Sequence, residues 1–453
     1  MELRFQGLKK RAIRGQFQGG AISSDGGGLL LREVDKRIGI LRRFAGCFTD
    51  YRDRDLIEHR VEELVAQRVY GLALGYEDLN DHEQLRKDPL LGVLVEKSEP
   101  GRELLAGKST LNRLELTPAT ANAQSRYQKI VLNHEAVDEL LVDVFVQAHG
   151  EAPERIILDL DATDDPLHGQ QEGRFFHGYY GHYCYLPLYI FCGEFLLCAR
   201  LRPSNIDGAA GSVAELQRIV AQLRAAWPAV RILVRGDSGF CREELMAWCE
   251  GVDVDYLLGL AKNTRLREEI EPQMAEAAAL YRQSGAAARV FHEFSYQTRN
   301  SWSRARRVVA KAEYLEKGEN PRFIVTSLPA QAWPAQPLYE EHYCARGDME
   351  NRIKEQLMLF SDRTSTAYLR SNQLRLYFSS MAYVLMQMMR RLGLQGTELA
   401  HAQCTTIRLK LFKIGALVRI TVRKVWVALS SAYPYAQLFA QIHAKLAALP
   451  LRC

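Results

Sequence analysis

The stretch RIILDLDA, residues 155–162, marks the point where the chain changes from helical to β periodicity. Its branched apolar residues form a short run of the kind that fills a buried strand. Two acids, Asp159 and Asp161, interrupt the end of this run. Asp161 lies at or just past the predicted strand end, where side chains leave the core and ligand sites gather. The stretch therefore predicts the start of a sheet and an acidic site at its edge.

The segments that follow predict an α/β fold. Strand-like aromatic segments come first, and then a helix, a strand, a second helix and another strand follow in order, over 175–201, 215–223, 232–237, 242–250 and 255–261. This succession is typical of a mixed sheet flanked by helices. Three strand-like runs between 288 and 328 indicate an inserted, mainly β segment, and helical periodicity returns at Glu340.

The residues before the decisive stretch have a different period. Between 29 and 150, apolar residues recur at three- and four-residue intervals, as in amphipathic helices. This pattern predicts an all-helical N-terminal region.

Composition excludes several classes of protein. With 453 residues and 47% hydrophobic content the chain can bury a large core, and no apolar stretch reaches the roughly 20 residues of a membrane-spanning helix. The N-terminus lacks the apolar segment of a signal peptide. Nine cysteines without a CxxC pair suit free thiols in a reducing cytoplasm, and the cluster of His168, His177, His182 and Cys184 matches no zinc spacing. We therefore expect a soluble cytoplasmic protein without structural zinc.

Basic charge is concentrated at the two ends of the chain. The net charge is +5, yet residues 399–453 contain no acid. The basic residues of this C-terminal segment are Arg408, Lys410, Lys413, Arg419, Arg423, Lys424, Lys445 and Arg452. A second patch near the start contains Arg4, Lys9, Lys10, Arg11 and Arg14. This asymmetry indicates a polyanionic partner, most simply nucleic acid, although a solvated helix surface gives the same pattern.

Three carboxylates occupy informative positions. Asp237 follows the run ILVRG as Asp161 follows IILDL, and Glu350 shares a helix face with Tyr343 and Arg346. Two strand-end carboxylates and a third from a facing helix can hold a pair of divalent ions, as phosphodiester chemistry requires. Oxygen ligands favour Mg²⁺ or Mn²⁺ over zinc. Taken singly, each aspartate also fits a turn or a helix cap, and Glu350 fits a solvated helix position.

Several motifs in order resemble the DDE transposases of bacterial insertion sequences. They are SSDGGGLLLREVDKRIG and GYEDLNDHEQLRKDP near the N-terminus, LDLDATDDPLHGQQEGRFFHGYYGHYCYLPLYIF from Leu158, VRGDSGF from Val234, and Tyr343-x2-Arg346-x3-Glu350. The chain is most similar to the 1380-type family, which is related to the group with a Tyr-Arg-Glu-Lys signature. The likeness extends from about Gly15 to Pro434.

The resemblance implies a ribonuclease-H-like catalytic core in which Asp161, Asp237 and Glu350 bind two Mg²⁺ or Mn²⁺ ions. Asp161 is preferred because the family's Asp-x-Thr pattern maps onto Asp161, Ala162 and Thr163, and Asp159 is the alternative. The signature lysine would stand seven residues after the glutamate, where this chain has Leu357. Lys354, one helical turn after Glu350, is the substitute that we expect to contact the phosphate.

The resemblance also assigns DNA contacts. Tyr343 and Arg346 would hold the DNA backbone near the scissile bond. Trp302 would stack on a base displaced at the cut end, although a core or surface tryptophan is the plainer interpretation. Apart from the resemblance, the acid-free C-terminal segment predicts a DNA-backbone clamp formed by Arg408, Lys410, Lys413, Arg419, Arg423 and Lys424.

The predicted organisation follows from these assignments. It consists of a helical N-terminal DNA-binding region (1–150), the first part of the core (151–265), the mainly β insertion (266–335), the final core helices (336–395) and a basic DNA-contacting segment (396–453).

The resulting hypothesis is cut-and-paste transposition. Water nicks the element end and the freed 3′-hydroxyl attacks the other strand or the target, with a hairpin intermediate as an open alternative. The partners would be terminal inverted repeats and target DNA, paired by a homodimer. Two rivals are a non-catalytic DNA-binding descendant of a transposase and a carboxylate-metal nuclease that does not join strands.

Overall fold

The computed structural model describes residues 1–100 and 104–451, so Arg452 lies outside the described residues. The strands are β1 (Glu2–Leu8), β2 (Arg11–Gln16), β3 (Ile22–Ser23), β4 (Phe48–Asp50), β5 (Ile130–Leu132), β6 (Arg155–Ala162), β7 (Asp165–Pro166), β8 (Phe175–His177), β9 (His182–Tyr185), β10 (Leu188–Cys192), β11 (Phe195–Arg200), β12 (Arg231–Gly236), β13 (Asp255–Leu260), β14 (Ala288–Tyr296), β15 (Arg306–Leu315), β16 (Gly318–Glu319), β17 (Arg322–Thr326), β18 (Ala416–Ile420) and β19 (Val425–Leu429).

The α-helices are α1 (Gly28–Ile38), α2 (Ile40–Ala45), α3 (Val61–Leu74), α4 (His82–Leu85), α5 (Pro89–Leu94), α6 (Lys108–Leu116), α7 (His134–Ala148), α8 (Ser212–Ala226), α9 (Glu243–Gly251), α10 (Thr264–Glu269), α11 (Glu271–Ser284), α12 (Ala335–Pro337), α13 (Gly347–Leu357), α14 (Leu369–Met389), α15 (Cys404–Ile407) and α16 (Ala436–Ala447). A π-helical turn over Leu338–Tyr343 and a 3-10 turn over Cys344–Arg346 lie between α12 and α13. No helix in the described ranges is long and apolar enough to cross a membrane.

The chain divides into two compact units, and the second unit, residues 138–354, carries the large sheet. Its strand order is β11-β10-β6-β12-β13-β17-β15-β14, with β16 added beside β15. The central strands β6, β12 and β13 are parallel, and the strands on both sides of them are antiparallel. Parallel strands need crossover connections, which α8 and α9 supply. The predicted mixed sheet with helices is confirmed.

The predicted helix over 215–223 lies within α8 because Leu216, Ile219, Val220 and Leu223 share one buried face. Leu233, Leu257, Val309 and Ile324, from four strands, contribute to one fully buried cluster. This cluster anchors the centre of the sheet and leaves the strand ends free for polar residues.

The segment expected to be a mainly β insertion differs in two respects. It includes the helix α11, and β14, β15 and β17 extend the central sheet instead of forming a sheet of their own. Strand β17 pairs with β13 from Leu257↔Thr326 to Leu260↔Phe323. Without β17, strand β13 would lie at the edge of the sheet with unpaired backbone N–H and C=O groups. Pairing with β17 satisfies these groups.

The first unit contains residues 1–137 and 355–453. Its long helix α14 is buried on nearly all sides and packs against α3, whose residues are also almost all buried. Helices that are apolar around their whole circumference belong in a core.

The prediction of an all-helical N-terminal region is wrong. Strands β1 and β2 form a hairpin, and β4 pairs with β5. Lys9 adopts a left-handed conformation, with φ at 56°, in the turn of the hairpin. Strands of three residues, such as β4 and β5, are too short to show a periodic pattern in the sequence. They form because their backbones pair with each other across a large sequence separation.

Candidate active site

The acidic site is built at the carboxyl ends of two neighbouring parallel strands. Asp161 is the penultimate residue of β6, and Asp237 directly follows β12. The register pairs Gly236 with Leu160, so Asp237 and Asp161 come next to each other at the same edge of the sheet. The Asp237 carboxylate accepts a hydrogen bond from the Gly239 backbone N–H at 2.8 Å and so caps the following turn. The sheet register thus brings together acids that are far apart in the sequence.

The third acid comes from the helical segment after the sheet. Glu350 lies in the first turn of α13, where a carboxylate is favoured by the helix dipole, and its side chain is about half exposed (54%). Arg346 precedes this helix by one residue and bridges the site. Its Nη1 donates to Asp161 Oδ2 at 3.4 Å, and its Nη2 donates to Glu350 Oε1 at 3.4 Å.

The electrostatics of Asp161 reflect this crowding. Burial raises the pKa of Asp161, the Arg346 guanidinium lowers it, and the nearby carboxylates of Asp237 and Glu350 raise it again, to about 6 overall. Burial alone would lower the pKa of Arg346, but the surrounding acids outweigh burial and raise it. The positive charge of Arg346 therefore interacts with the carboxylates of Asp161, Asp237 and Glu350.

The oxygen donors fit a hard divalent cation in chemical type. Within 1–100 and 104–451, no three His, Cys, Asp or Glu side chains are close enough to hold a metal ion as they stand. The Arg346 guanidinium lies between Asp161 and Glu350, where a metal ion bound by both carboxylates would lie. The negative charge that raises the pKa of Asp161 would attract an ion, and Arg346 would have to turn away from Glu350 to admit it.

Asp159, the alternative to Asp161, is already neutralised inside the protein. Arg235 Nε and Nη2 donate to its two carboxylate oxygens at 2.5 and 2.8 Å, a bidentate pair in which both side chains are buried. Burial raises the pKa of Asp159, and Arg235 lowers it in part. Arg235 also donates to the His342 carbonyl, which ties β12 to the helical segment. Arg235 is not among the residues predicted from the sequence, although it lies within the VRGD motif.

Tyr343 lies over a residue that the sequence analysis also missed. A Cβ added at Gly259, in β13, would stand 2.5 Å from the Tyr343 hydroxyl and 2.8 Å from the Ser238 backbone nitrogen. Glycine allows this close approach beside Asp237. A glycine inside a strand run is the signal that was available, because such residues often mark close backbone contacts.

The remaining predicted contacts in the second unit separate into exposed and buried side chains. Lys354 is exposed, and so is Leu357, a residue of the first unit at the position of the signature lysine. Trp302 is only 7% exposed, packs edge-to-face on Tyr296 with ring centroids 5.7 Å apart, and lies beneath Arg306 at 5.5 Å. The structure therefore places Trp302 in the packing of the loop between β14 and β15.

The basic residues of the first unit divide in the same way. Arg408 is buried and donates to the carbonyls of Ala73 at 3.0 Å and Met358 at 2.9 Å. Lys413 pairs with Asp25 at 2.6 Å. The half-buried Lys410 lies 5.1 Å from the Tyr435 ring centroid. The exposed members, Arg419, Arg423 and Lys424, lie on the hairpin formed by β18 and β19.

Comparison with known proteins gives a family match over nearly the whole chain. The family model described as "Transposase DDE domain group 1" matches residues 5–451. Among solved structures, the chain is similar to a piggyBac transposase synaptic complex with hairpin DNA, determined by cryo-EM. The sequence identity is 11% and the TM-score 0.41, over 94% of this chain and 83% of that one. No curated protein matches.

Proposed function

This chain belongs to the family of DDE transposases, and we propose that it cuts DNA at the terminal inverted repeats of an insertion sequence and joins the freed ends to target DNA. The observation that supports the proposal most strongly is the placement of Asp161 and Asp237 at adjacent parallel strand ends, with Glu350 linked to Asp161 through Arg346. We assign the element to the 1380-type group on the strength of the sequence motifs.

We propose that the sheet of the second unit contains a ribonuclease-H-like core. The order β11-β10-β6-β12-β13 supports this, because three consecutive antiparallel strands lie beside two parallel ones. In such a core the ends of the first and fourth strands meet, which are β6 and β12 here.

Asp161, Asp237 and Glu350 would hold Mg²⁺ or Mn²⁺, two ions in the active complex. When bound, such ions activate the attacking water or 3′-hydroxyl and stabilise the leaving oxygen. Arg346 would exchange its carboxylate contact with Glu350 for the DNA phosphate, since its planar guanidinium suits two-point contact with either group. Tyr343 would help to position the segment that carries Arg346, and the exposed Lys354 would reach the phosphate in place of the signature lysine.

We propose that the exposed β18–β19 hairpin contacts the DNA backbone. Each phosphate neutralised on duplex DNA contributes roughly −0.9 to the slope of log affinity against log salt. Replacing Arg419, Arg423 and Lys424 together with Gln should flatten this slope by about two to three units, equally for repeat and random DNA. An unchanged slope with normal affinity would mean that these residues only solubilise the hairpin. Arg408, Lys410 and Lys413 have partners within the first unit and enter the clamp only if they exchange them.

The wider proposal keeps the predicted organisation. The mainly helical N-terminal region and the basic C-terminal segment would recognise the inverted repeats, a homodimer would pair two ends, and the reaction would take place in the cytoplasm.

The proposal is tested by incubating purified protein with DNA that carries the repeats flanking its own gene, in Mg²⁺ and in Mn²⁺. Cleavage at the repeat ends followed by joining to a target plasmid is the expected result. Cleavage without joining identifies a nuclease, and repeat binding without cleavage identifies a DNA-binding descendant. A Glu350→Gln variant, which should bind the repeats and cleave nothing, is the control for contaminating nucleases.

A further inference from the structure

An aromatic hairpin stands beside the acidic site. Strands β8 and β9, with the turn between them, expose four large rings. These are Phe175 (42% exposed), Phe176 (58%), Tyr179 (86%) and Tyr183 (43%). Apolar rings clustered on a surface usually mark an interaction site. The hairpin is called here the ring hairpin, residues 175–183.

Hydrogen bonds and strand pairing connect the ring hairpin to neighbouring segments of the second unit. The Ser204 hydroxyl donates to the Phe175 carbonyl at 2.9 Å, and the Tyr185 hydroxyl donates to the Glu172 carbonyl at 2.7 Å. His182 Nε2 contacts the Asp164 carboxylate at 2.8 Å. Strand β9 also pairs with β7, so the hairpin is part of a three-stranded sheet. The hairpin that carries the exposed rings is therefore bonded to neighbouring segments of the second unit.

The ring hairpin is also connected to the catalytic edge. The Tyr180 hydroxyl donates to the Ala162 carbonyl at 3.4 Å, and the Ala162 N–H in turn donates to Asp161 Oδ1 at 2.9 Å. Asp164, the partner of His182, is three residues from Asp161 along the chain. One hydrogen bond therefore joins the ring hairpin to the residue that follows Asp161 in β6.

The rings differ in how far their faces are available. Arg174 lies over the Tyr183 ring at 3.9 Å from the centroid, and Phe176 meets Tyr183 edge-to-face at 5.6 Å. Tyr179 touches Tyr180 edge-to-face at 5.0 Å and is otherwise largely exposed. Tyr179 is thus the most accessible platform, and Phe176 is the second.

We propose that the ring hairpin, through Tyr179 and Phe176, stacks on an unpaired DNA base next to the scissile phosphate. The inference rests on the proposed function. Proteins that bind unpaired DNA receive its bases on exposed aromatic side chains, and this stacking is tolerant of base identity. The role expected of Trp302 requires an accessible ring, which the packing of Trp302 does not provide. The ring hairpin supplies such rings at the edge of the sheet that carries Asp161.

The first experiment compares end cleavage by the parent and by Tyr179→Ala/Phe176→Ala on two DNA ends. One end is fully paired, and the other carries a mismatch at the base pair flanking the cut. We expect a loss of about tenfold to a hundredfold on the paired end, as stacking deletions give, and a much smaller loss on the mismatched end. Tyr179→Phe/Phe176→Tyr should cleave both as the parent does. Tyr127→Ala, which removes an exposed ring from the first unit, is the matched control.

The second experiment does not depend on cleavage. DNA ends with 5-iodouracil at positions around the cut are irradiated with the parent in Ca²⁺. A cross-link mapped by mass spectrometry to 175–183, and lost in the alanine variant, supports the proposal. Cross-links that map only elsewhere overturn it.

The outcomes separate the two levels of proposal. A parent that neither binds nor cleaves repeat DNA overturns both. A parent that cleaves, with an alanine variant equal to it or impaired equally on both ends, overturns only the ring hairpin. A variant that loses self-association without DNA and keeps normal cleavage shows that the hairpin contacts a second copy, which also overturns the proposal.

Discussion

Asp159 and Asp161 lie two residues apart on β6, on the same face of the sheet, and have opposite surroundings. The inner acid, Asp159, forms a buried bidentate pair with Arg235. The outer acid, Asp161, faces Asp237 and Glu350 and shares one arginine with Glu350. An aspartate at the inner position is thus paired with its own arginine, whereas an aspartate at the outer position shares an arginine with a second carboxylate.

The two positions differ in how much positive charge the protein itself places beside each aspartate. A buried charge is tolerated when an opposite charge is hydrogen-bonded to it, as Arg235 is to Asp159. At the strand end, Asp161, Asp237 and Glu350 lie near a single guanidinium, that of Arg346. A bound cation would balance the negative charge that Arg346 leaves. The inner pair should therefore govern stability, and the outer cluster should govern chemistry.

The largest expected effect is on the outer cluster. Asp161→Asn, Asp237→Asn and Glu350→Gln should each lower end cleavage by about a thousandfold or more, equivalent to about 4 kcal/mol of barrier, because each removes one of the proposed metal ligands. Folding and repeat binding should remain near parental, as measured by circular dichroism and gel shift. Asp348→Asn, an exposed acid on the same turn as Glu350, should cleave within a few-fold of the parent. Loss of cleavage in Asp159→Asn with retention in Asp161→Asn would reverse the comparison.

The inner pair should show its effect in stability. Arg235→Met leaves the Asp159 carboxylate buried without its partner and should lower the free energy of unfolding by about 3–5 kcal/mol. Urea unfolding measures this. Arg231→Met, at the exposed start of the same strand, should change it by about 0.5 kcal/mol or less. Adding Asp159→Leu to Arg235→Met should restore much of the stability, and a double variant as unstable as the single one would contradict the buried-charge explanation.

The outer acid should also produce a pH-dependent stability in the absence of metal. Burial and the neighbouring carboxylates raise the pKa of Asp161 to about 6 in the folded state, from an ordinary value of 3.8, so the stability of the fold falls as pH rises between these values. With EDTA present, Asp161→Asn should be more stable than the parent at pH 8 by up to about 3 kcal/mol, and the gain should vanish near pH 4. Adding Mg²⁺ should stabilise the parent and shrink the gain. A gain that is the same at both pH values would contradict the assignment.

The smallest expected effect concerns the close approach of Tyr343 and Ser238 to Gly259, beside Asp237. Gly259→Ala should cost about 1–3 kcal/mol of stability and lower cleavage, because the new Cβ meets the Tyr343 hydroxyl and the Ser238 backbone. Combining it with Tyr343→Phe should recover only part of the loss, since the backbone contact remains. Gly251→Ala, where a Cβ meets nothing within 4 Å, is the control. A Gly259→Ala protein that unfolds and cleaves like the parent would remove the close-approach argument.

Much of the core was predictable from local pattern. The apolar runs before Asp161 and Asp237 are strands β6 and β12, and the amphipathic spacing at 215–223 belongs to α8. These elements follow from the period of their own side chains, which needs no knowledge of partners. The sequence motifs also led to the DDE transposases, which the match over residues 5–451 confirms, whereas the 1380-type assignment stays a prediction.

Partnerships between distant residues were beyond the sequence. The arginine that saturates Asp159 is 76 positions away and is brought to it by the parallel register of β6 and β12. Trp302 looked suited to base stacking, yet its loop folds over it and hides the ring. Arg408 looked like a DNA contact, yet carbonyl groups from two other segments accept its guanidinium hydrogens. Residue type and spacing determined which side chains can bind metal or phosphate. Which of them are already satisfied was decided by the tertiary structure, because burial and pairing depend on segments that meet only in the folded chain.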